Sequence, residues 1–139
     1  QPLYQGNYKF KKHFLGNNKI PDLKSEGEEY LCAQAIDAEP AVKFWLRNVD
    51  CNHASFKLPT STDFFYPDFA TMLNDERILV IEYKGENLAT NDDTKEKALI
   101  GAVWEKVSNG KGLFMVAVKS KDGLNVAGQI KAKILLDGL

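Results

Sequence analysis

One stretch near the middle of the chain limits the fold more than any other. Ile78-Leu79-Val80-Ile81 is apolar at four consecutive positions. Neighbouring side chains of a strand point to opposite faces, so such a run needs cover on both sides and belongs inside a sheet, between two other layers. Asn74-Asp75, just before it, is a turn signal that follows another apolar stretch. The spacing predicts a hairpin with arms Phe64–Leu73 and Arg77–Lys84. The first arm is expected to be bent at Pro67, because proline cannot donate to a ladder.

The run ends in Glu82-Tyr83-Lys84. A strand covered on both faces should not end in charge without a reason. Alternation puts Glu82 and Lys84 on one face and Tyr83 on the other. Counted back from the turn, Asp68 and Glu82 stand at matching height, so pairing of the arms brings them together. Two close carboxylates repel, and one pKa rises unless a cation lies between them. Hard oxygen donors of this kind suit Mg²⁺ or Mn²⁺, which take their remaining ligands from water and substrate phosphate. A lysine beside them is placed to position an attacking water and to stabilise charge on the phosphate. The plainer reading is a solvated, idle Glu-Lys pair. Short Glu-x-Lys triplets are common, but Pro-Asp, a turn, an apolar run and Glu-x-Lys at matching height form a far more specific pattern.

The other elements follow from periodicity and punctuation. Ser25 to Ala38 reads as a helix, capped by Ser25 with Glu28 three residues on, and with Leu31, Cys32, Ala35 and Ile36 as its apolar stripe. Val42 to Val49 reads as a strand and Ser55 to Leu58 as a short one, ended by Pro59. A helix from Asp93 or Thr94 to about Ser108 presents Ile100, Val103, Trp104 and Val107, with Asp92-Asp93 as its cap. Leu113 to Lys119 is a strand, Asp122-Gly123 a turn, and Val126 to Leu136 a final helix. The order is helix, strand, hairpin, helix, strand, helix. It predicts an α/β fold with a mixed central sheet flanked by helices.

Composition excludes several classes. The 139 residues are 44% hydrophobic and 27% charged, an ordinary single-domain mixture with no sign of disorder. The formal net charge is −1, so any nucleic-acid contact must come from a local basic surface. No apolar run approaches the roughly 18 residues of a membrane span. Two cysteines, Cys32 and Cys51, are too few for a disulfide scaffold and suggest a reducing compartment. With His13 and His53 they match no structural zinc spacing. Residues 1–24 form a lead-in carrying Lys9, Lys11, Lys12, Lys19 and Lys24 among Tyr4, Tyr8, Phe10 and Phe14. Such a segment suits a phosphate backbone, or docks its aromatics on the core of the domain expected over 25–139. Trp45 and Trp104 read as core. The chain opens at Gln1 without an initiator Met and is expected to be a domain excised from a longer protein.

Pro67-Asp68 followed by Glu82-Tyr83-Lys84 resembles the PD-(D/E)xK nuclease superfamily. Further blocks narrow the likeness: Gly27-Glu28-Glu29, Ala33-Gln34-Ala35-Ile36-Asp37, Val42-Lys43-Phe44-Trp45-Leu46-Arg47-Asn48, Leu58-Pro59-Thr60-Ser61-Thr62-Asp63 and Ile81-Glu82-Tyr83-Lys84-Gly85. Together, from about residue 13 to residue 118, they are similar to the C-terminal endonuclease domain of type III restriction enzyme Res subunits. The resemblance implies a restriction-endonuclease-like fold and Mg²⁺-dependent hydrolysis of DNA phosphodiester bonds by metal-activated water, with Mn²⁺ as a substitute. It implies Asp68 and Glu82 as metal ligands, the backbone carbonyl of Tyr83 in the metal shell and Lys84 as the catalytic lysine. Many members add a glutamate from the first helix, which leaves Glu28 and Glu29 as candidates; each is equally readable as a first-turn carboxylate facing the helix dipole. Lys97, at the start of the second helix, and Lys11 and Lys12 are candidate DNA contacts, Lys97 being readable also as a snorkelling surface lysine.

Implied partners are double-stranded DNA, a helicase motor on the same full-length chain and a methylation subunit that reads the site, in the cytoplasm of a bacterial or archaeal cell. ATP belongs to the motor, whose phosphate-binding loop has no match in this sequence. The competing readings are a catalytically inactive DNA-binding or docking module, which would not need Asp68, Glu82 and Lys84 together, and a repair or junction nuclease of the same superfamily.

Overall fold

The computed structural model describes residues 2–50, 54–85 and 91–136. Along the chain run α1 (Glu28–Ala38), β1 (Val42–Arg47), β2 (Leu58–Pro59), β3 (Phe64–Phe65), β4 (Phe69–Leu73), β5 (Ile78–Tyr83), α2 (Asp92–Val107), β6 (Gly112–Ala117) and α3 (Val126–Leu136). The four long strands form one sheet in the order β1-β4-β5-β6. The β1/β4 and β4/β5 pairs are antiparallel and β5/β6 is parallel, so the sheet is mixed and α2 is the crossover between its parallel strands.

The apolar run becomes β5, an inner strand buried at every position except Ile78. Leu79, Ile81 and Tyr83 pack with Cys32, Ala33 and Ile36 of α1 and with Ile130 and Ile134 of α3. Val80, on the other face, packs with Leu58, Phe65 and Phe114, and Ile100 and Trp104 of α2 lie against that cluster. Each face of the strand therefore has its own apolar layer, as the two-sided run requires. On the α2 side the approach is close enough to need a glycine. A Cβ on Gly101 would sit 2.1 Å from the Phe114 ring.

The turn after Leu73 is tight, with Leu73 and Arg77 hydrogen-bonded across it and Glu76 at φ 74°. The first arm of the expected hairpin is two strands rather than one. Pro67 interrupts it, and Phe64–Phe65 turns away to pair with Leu58–Pro59 in a separate two-stranded sheet.

The structure corrects four expectations about the helices. Helix α1 starts at Glu28 and not Ser25, because Gly27 at φ 88° turns the chain there, and no side chain caps it. Leu31 is 58% exposed; the buried stripe is Cys32, Ala33 and Ile36. In α2, Val103 and Val107 are exposed, and the face on the sheet is Thr94, Lys97, Ile100, Gly101 and Trp104, one turn-step round from the expected one. The cap of α2 is Asn91, whose side chain accepts from the Thr94 amide at 2.8 Å; Asp92 and Asp93 lie in the first turn.

The N-terminal segment joins the main core. Tyr4, Phe10, Ile20 and Leu23 are buried with α1, β1 and β5. Asp37, 4% exposed, accepts from the amides of Lys11 and Lys12 and from the Trp45 indole, which ties the segment to α1 and β1. Trp45 is fully buried, and Trp104 is half-buried against Phe56. Cys32 is buried, while Cys51 and His53 lie outside the described residues. Among the described residues no helix is long and apolar enough to cross a membrane.

Candidate active site

The register of the hairpin positions the acidic pair. Phe69 stands opposite Ile81 and Ala70 opposite Val80, so one step outward sets Asp68 opposite Glu82. Beyond that point the ladder is replaced by side chains. The Asp68 amide donates to Glu82 Oε1 at 3.2 Å, and the Tyr83 amide donates to Asp68 Oδ2 at 2.7 Å. Each carboxylate is thereby held by the backbone of the opposite arm. Asn48, just after β1, fixes the bend from the other side. Its amide donates to the Asp68 carbonyl, and its side-chain nitrogen donates to the carbonyls of Pro67 and Phe56.

Two lysines converge on Glu82, which is itself almost fully buried. Lys84 Nζ lies 3.2 Å and Lys97 Nζ 3.6 Å from Glu82 Oε2. Lys84 is positioned by its amide, which continues the β5–β6 pairing by donating to the Ala117 carbonyl. Lys97 is also 3.1 Å from Asp93, one turn back on α2. Burial works against the Lys97 ammonium, but Asp93 and Glu82 together hold its pKa above the usual lysine value.

The first turn of α1 adds two more carboxylates, and they go to different partners. The Tyr83 hydroxyl donates to Glu28. Glu29 pairs with Arg47 Nη2 at 2.6 Å, and Arg47 Nη1 lies 3.7 Å from Asp68 Oδ1. Asp68, Glu82, Lys84, Glu28, Glu29 and Arg47 all line one open cleft of 530 Å³. Lys11 and Lys12 do not line it. Lys12 Nζ donates to the carbonyls of Glu39 and Val42, and Lys11 is exposed, with its amide on Asp37.

The cleft is electrostatically loaded. Burial, followed by the charges of Glu82 and Glu29, pushes Asp68 up to about 8, against the pull of the Tyr83 amide. A carboxyl that close to neutrality at physiological pH marks a place where further positive charge would be favourable. Among the described residues, no group of three or more His, Cys, Asp and Glu side chains is arranged to hold a metal ion. The donor set that remains is the Asp68–Glu82 pair. Two hard carboxylates suit Mg²⁺, which keeps several waters and binds proteins through one or two carboxylates together with substrate phosphate.

Two participants, Arg47 and Asn48, carry no signal in local sequence patterning. Arg47 ends and Asn48 follows an ordinary half-buried strand, and only the β1–β4 pairing of Arg47 with Phe69 places them beside Asp68. Comparison with family models, with curated proteins and with solved structures finds no match to this chain.

Proposed function

We propose that this chain is a metal-dependent endodeoxyribonuclease domain of the PD-(D/E)xK type, and specifically the C-terminal endonuclease domain of a type III restriction enzyme Res subunit. The observation that carries the reading is the interlock at the end of β5, where Asp68 and Glu82 are each held by the other arm's backbone with Lys84 against Glu82. An idle strand-end ion pair needs no second carboxylate, and a buried one raises the cost of folding. The placement of Asp68 beside Glu82 is thus better explained by a ligand than by stability.

In this reading Asp68 and Glu82, with the Tyr83 carbonyl, hold Mg²⁺ or Mn²⁺. The ion when bound supplies Lewis-acid activation of water and neutralisation of phosphate charge. The chain's own residues do the rest. Lys84, on the same face as Glu82, orients the attacking water and donates to the charge that grows on the scissile phosphate. Lys97 approaches from α2 as a second donor. The cleft is open, as double-stranded DNA requires, and its carboxylates need an accompanying cation before a polyanion enters. The helicase motor on the full-length chain, the methylation subunit that reads the sequence and a cytoplasmic setting follow from the same family reading.

The test is supercoiled plasmid incubated with the protein, with and without Mg²⁺ or Mn²⁺, beside Asp68→Ala. Nicking or linearisation that needs the divalent ion and disappears in Asp68→Ala is expected. Cleavage that persists in Asp68→Ala, or in EDTA, refutes the proposal. If the full-length chain with its motor binds DNA but neither it nor this domain cleaves in the presence of metal, the docking-module reading replaces it.

A further inference from the structure

The guanidinium of Arg47 is buried, half satisfied and aimed at the acidic pair. Arg47 ends β1, and its side chain is only 8% exposed, with its head group 5.1 Å over the Phe69 ring. A guanidinium carries five N–H donors. Nη2 donates to the Asp22 carbonyl at 3.1 Å and forms an ion pair with Glu29 Oε1 at 2.6 Å. Nε and Nη1 are buried and have no hydrogen-bond partner among the described residues. Buried donors left unmade are costly, so stability alone does not account for this side chain. What Nη1 faces is Asp68 Oδ1, at 3.7 Å. The other Asp68 oxygen is already fixed by the Tyr83 amide.

We infer that Arg47 is a positioning residue of the acidic site: its guanidinium turns Glu29 and Asp68 toward one another and makes Glu29, rather than Glu28, the α1 carboxylate of the site. The inference rests on the reading of Asp68 and Glu82 as ligands of a divalent cation. The two first-turn glutamates are sorted by their partners, Glu28 going to the Tyr83 hydroxyl and Glu29 to Arg47. Glu29, Asp68 and Glu82 repel one another, and a fixed monovalent charge beside Glu29 and Asp68 offsets that repulsion while leaving Glu82 to its lysines. Only a forked head group spans two carboxylates; a lysine ammonium at the same place serves one.

The experiment is Mn²⁺ titration of the 139-residue chain by calorimetry, with near-UV circular dichroism and thermal midpoints to report the fold. The variants are Arg47→Gln, Arg47→Lys, Glu28→Gln, Glu29→Gln, the Arg47→Gln/Glu29→Gln double and Asp68→Ala. Arg47→Gln and Glu29→Gln should each weaken Mn²⁺ binding by about tenfold, the scale of lost support around a metal ligand. The double variant should be no weaker than the worse single one, because both remove the same link. Glu28→Gln should stay near wild type. Arg47→Lys should fold but remain weakened. A purely structural arginine would lower the thermal midpoint and leave the Mn²⁺ affinity of the folded fraction unchanged.

The inference is overturned by wild-type affinity in folded Arg47→Gln, by full rescue in Arg47→Lys, by multiplying effects in the double variant, or by Glu28→Gln alone weakening binding. If Arg47→Gln does not fold, Arg47→Lys and the two glutamate variants decide. Asp68→Ala separates the two failures. If it binds Mn²⁺ as wild type does, the metal reading falls and this inference with it. If it abolishes binding while Arg47→Gln does not weaken it, this inference alone falls.

Discussion

Asp68→Asn should stabilise the metal-free protein at high pH, and the structure sets both the sign and the size. The substitution keeps a side-chain oxygen for the Tyr83 amide, now 2.7 Å from Asp68 Oδ2, and removes only the charge. In the folded wild type, burial and then the charges of Glu82 and Glu29 raise Asp68 from 3.8 to about 8. Between those values the folded state holds a proton that the unfolded chain has lost. Stability therefore falls as pH rises through this window, and the penalty is complete above pH 8. At about 1.4 kcal/mol per pH unit the ceiling is about 6 kcal/mol. Two features lower it. The side chain is 23% exposed, and Asn leaves Arg47 with one anion fewer. A gain of about 2 kcal/mol at pH 9 is the expected remainder. Near pH 4 the two proteins should be equally stable. Urea denaturation in EDTA, followed by the fluorescence of Trp45 and Trp104, measures both points. Saturating Mn²⁺ should then reverse the order, because an ion at a hundred times its Kd adds about 2.7 kcal/mol to the protein that binds it. An Asp68→Asn protein less stable than wild type at pH 9 in EDTA, or offset by the same amount at both pH values, refutes the reasoning.

Other predictions follow from the same contacts. Lys84→Ala should cut the plasmid cleavage rate by about 10²–10³-fold with metal and DNA affinity nearly intact, and Lys84→Arg should not restore it, because a planar guanidinium cannot take the place of a compact ammonium. Single-turnover rates beside filter-binding affinities check this, and equal losses in both would make Lys84 a phosphate anchor instead. Burial lowers the His13 pKa to about 4, so the unfolded chain gains the proton first on acidification, and stability should drop by about 3 kcal/mol between pH 7 and pH 4 on this account. His13→Gln should flatten that part of the stability profile. Asp37→Ala strands the amides of Lys11 and Lys12 and the Trp45 indole, and should cost about 3 kcal/mol and expose the N-terminal segment to limited proteolysis. Gly101→Val places methyl groups where even a Cβ would lie 2.1 Å from the Phe114 ring, and should lower the thermal midpoint by roughly 10 °C or prevent folding.

The central hairpin was legible in the sequence, and the reason is local. Alternation along a strand, the Asn74-Asp75 turn and equal counting back to Asp68 and Glu82 are properties of neighbouring residues, and the observed register Phe69–Ile81 follows the same count. The two-sided apolar run likewise determined that β5 lies inside the sheet with a layer on each face. Which helical residues those layers use was decided elsewhere. Leu31, Val103 and Val107 fit an apolar stripe, yet they are exposed: the close seat of Gly101 on Phe114 turns another face of α2 to the sheet, and α1 buries Cys32, Ala33 and Ile36. The Ser25 cap failed because the Gly27 turn at φ 88° overrides the side-chain signal. The tertiary structure alone brought Arg47 and Asn48 to the acidic pair. Their distance in sequence from Asp68 is spanned only by the β1–β4 pairing, and no periodicity reports which strand will lie beside which. It also divided Glu28 from Glu29, since adjacent residues on a helix point about 100° apart and only the partners at hand, Tyr83 and Arg47, give each a place.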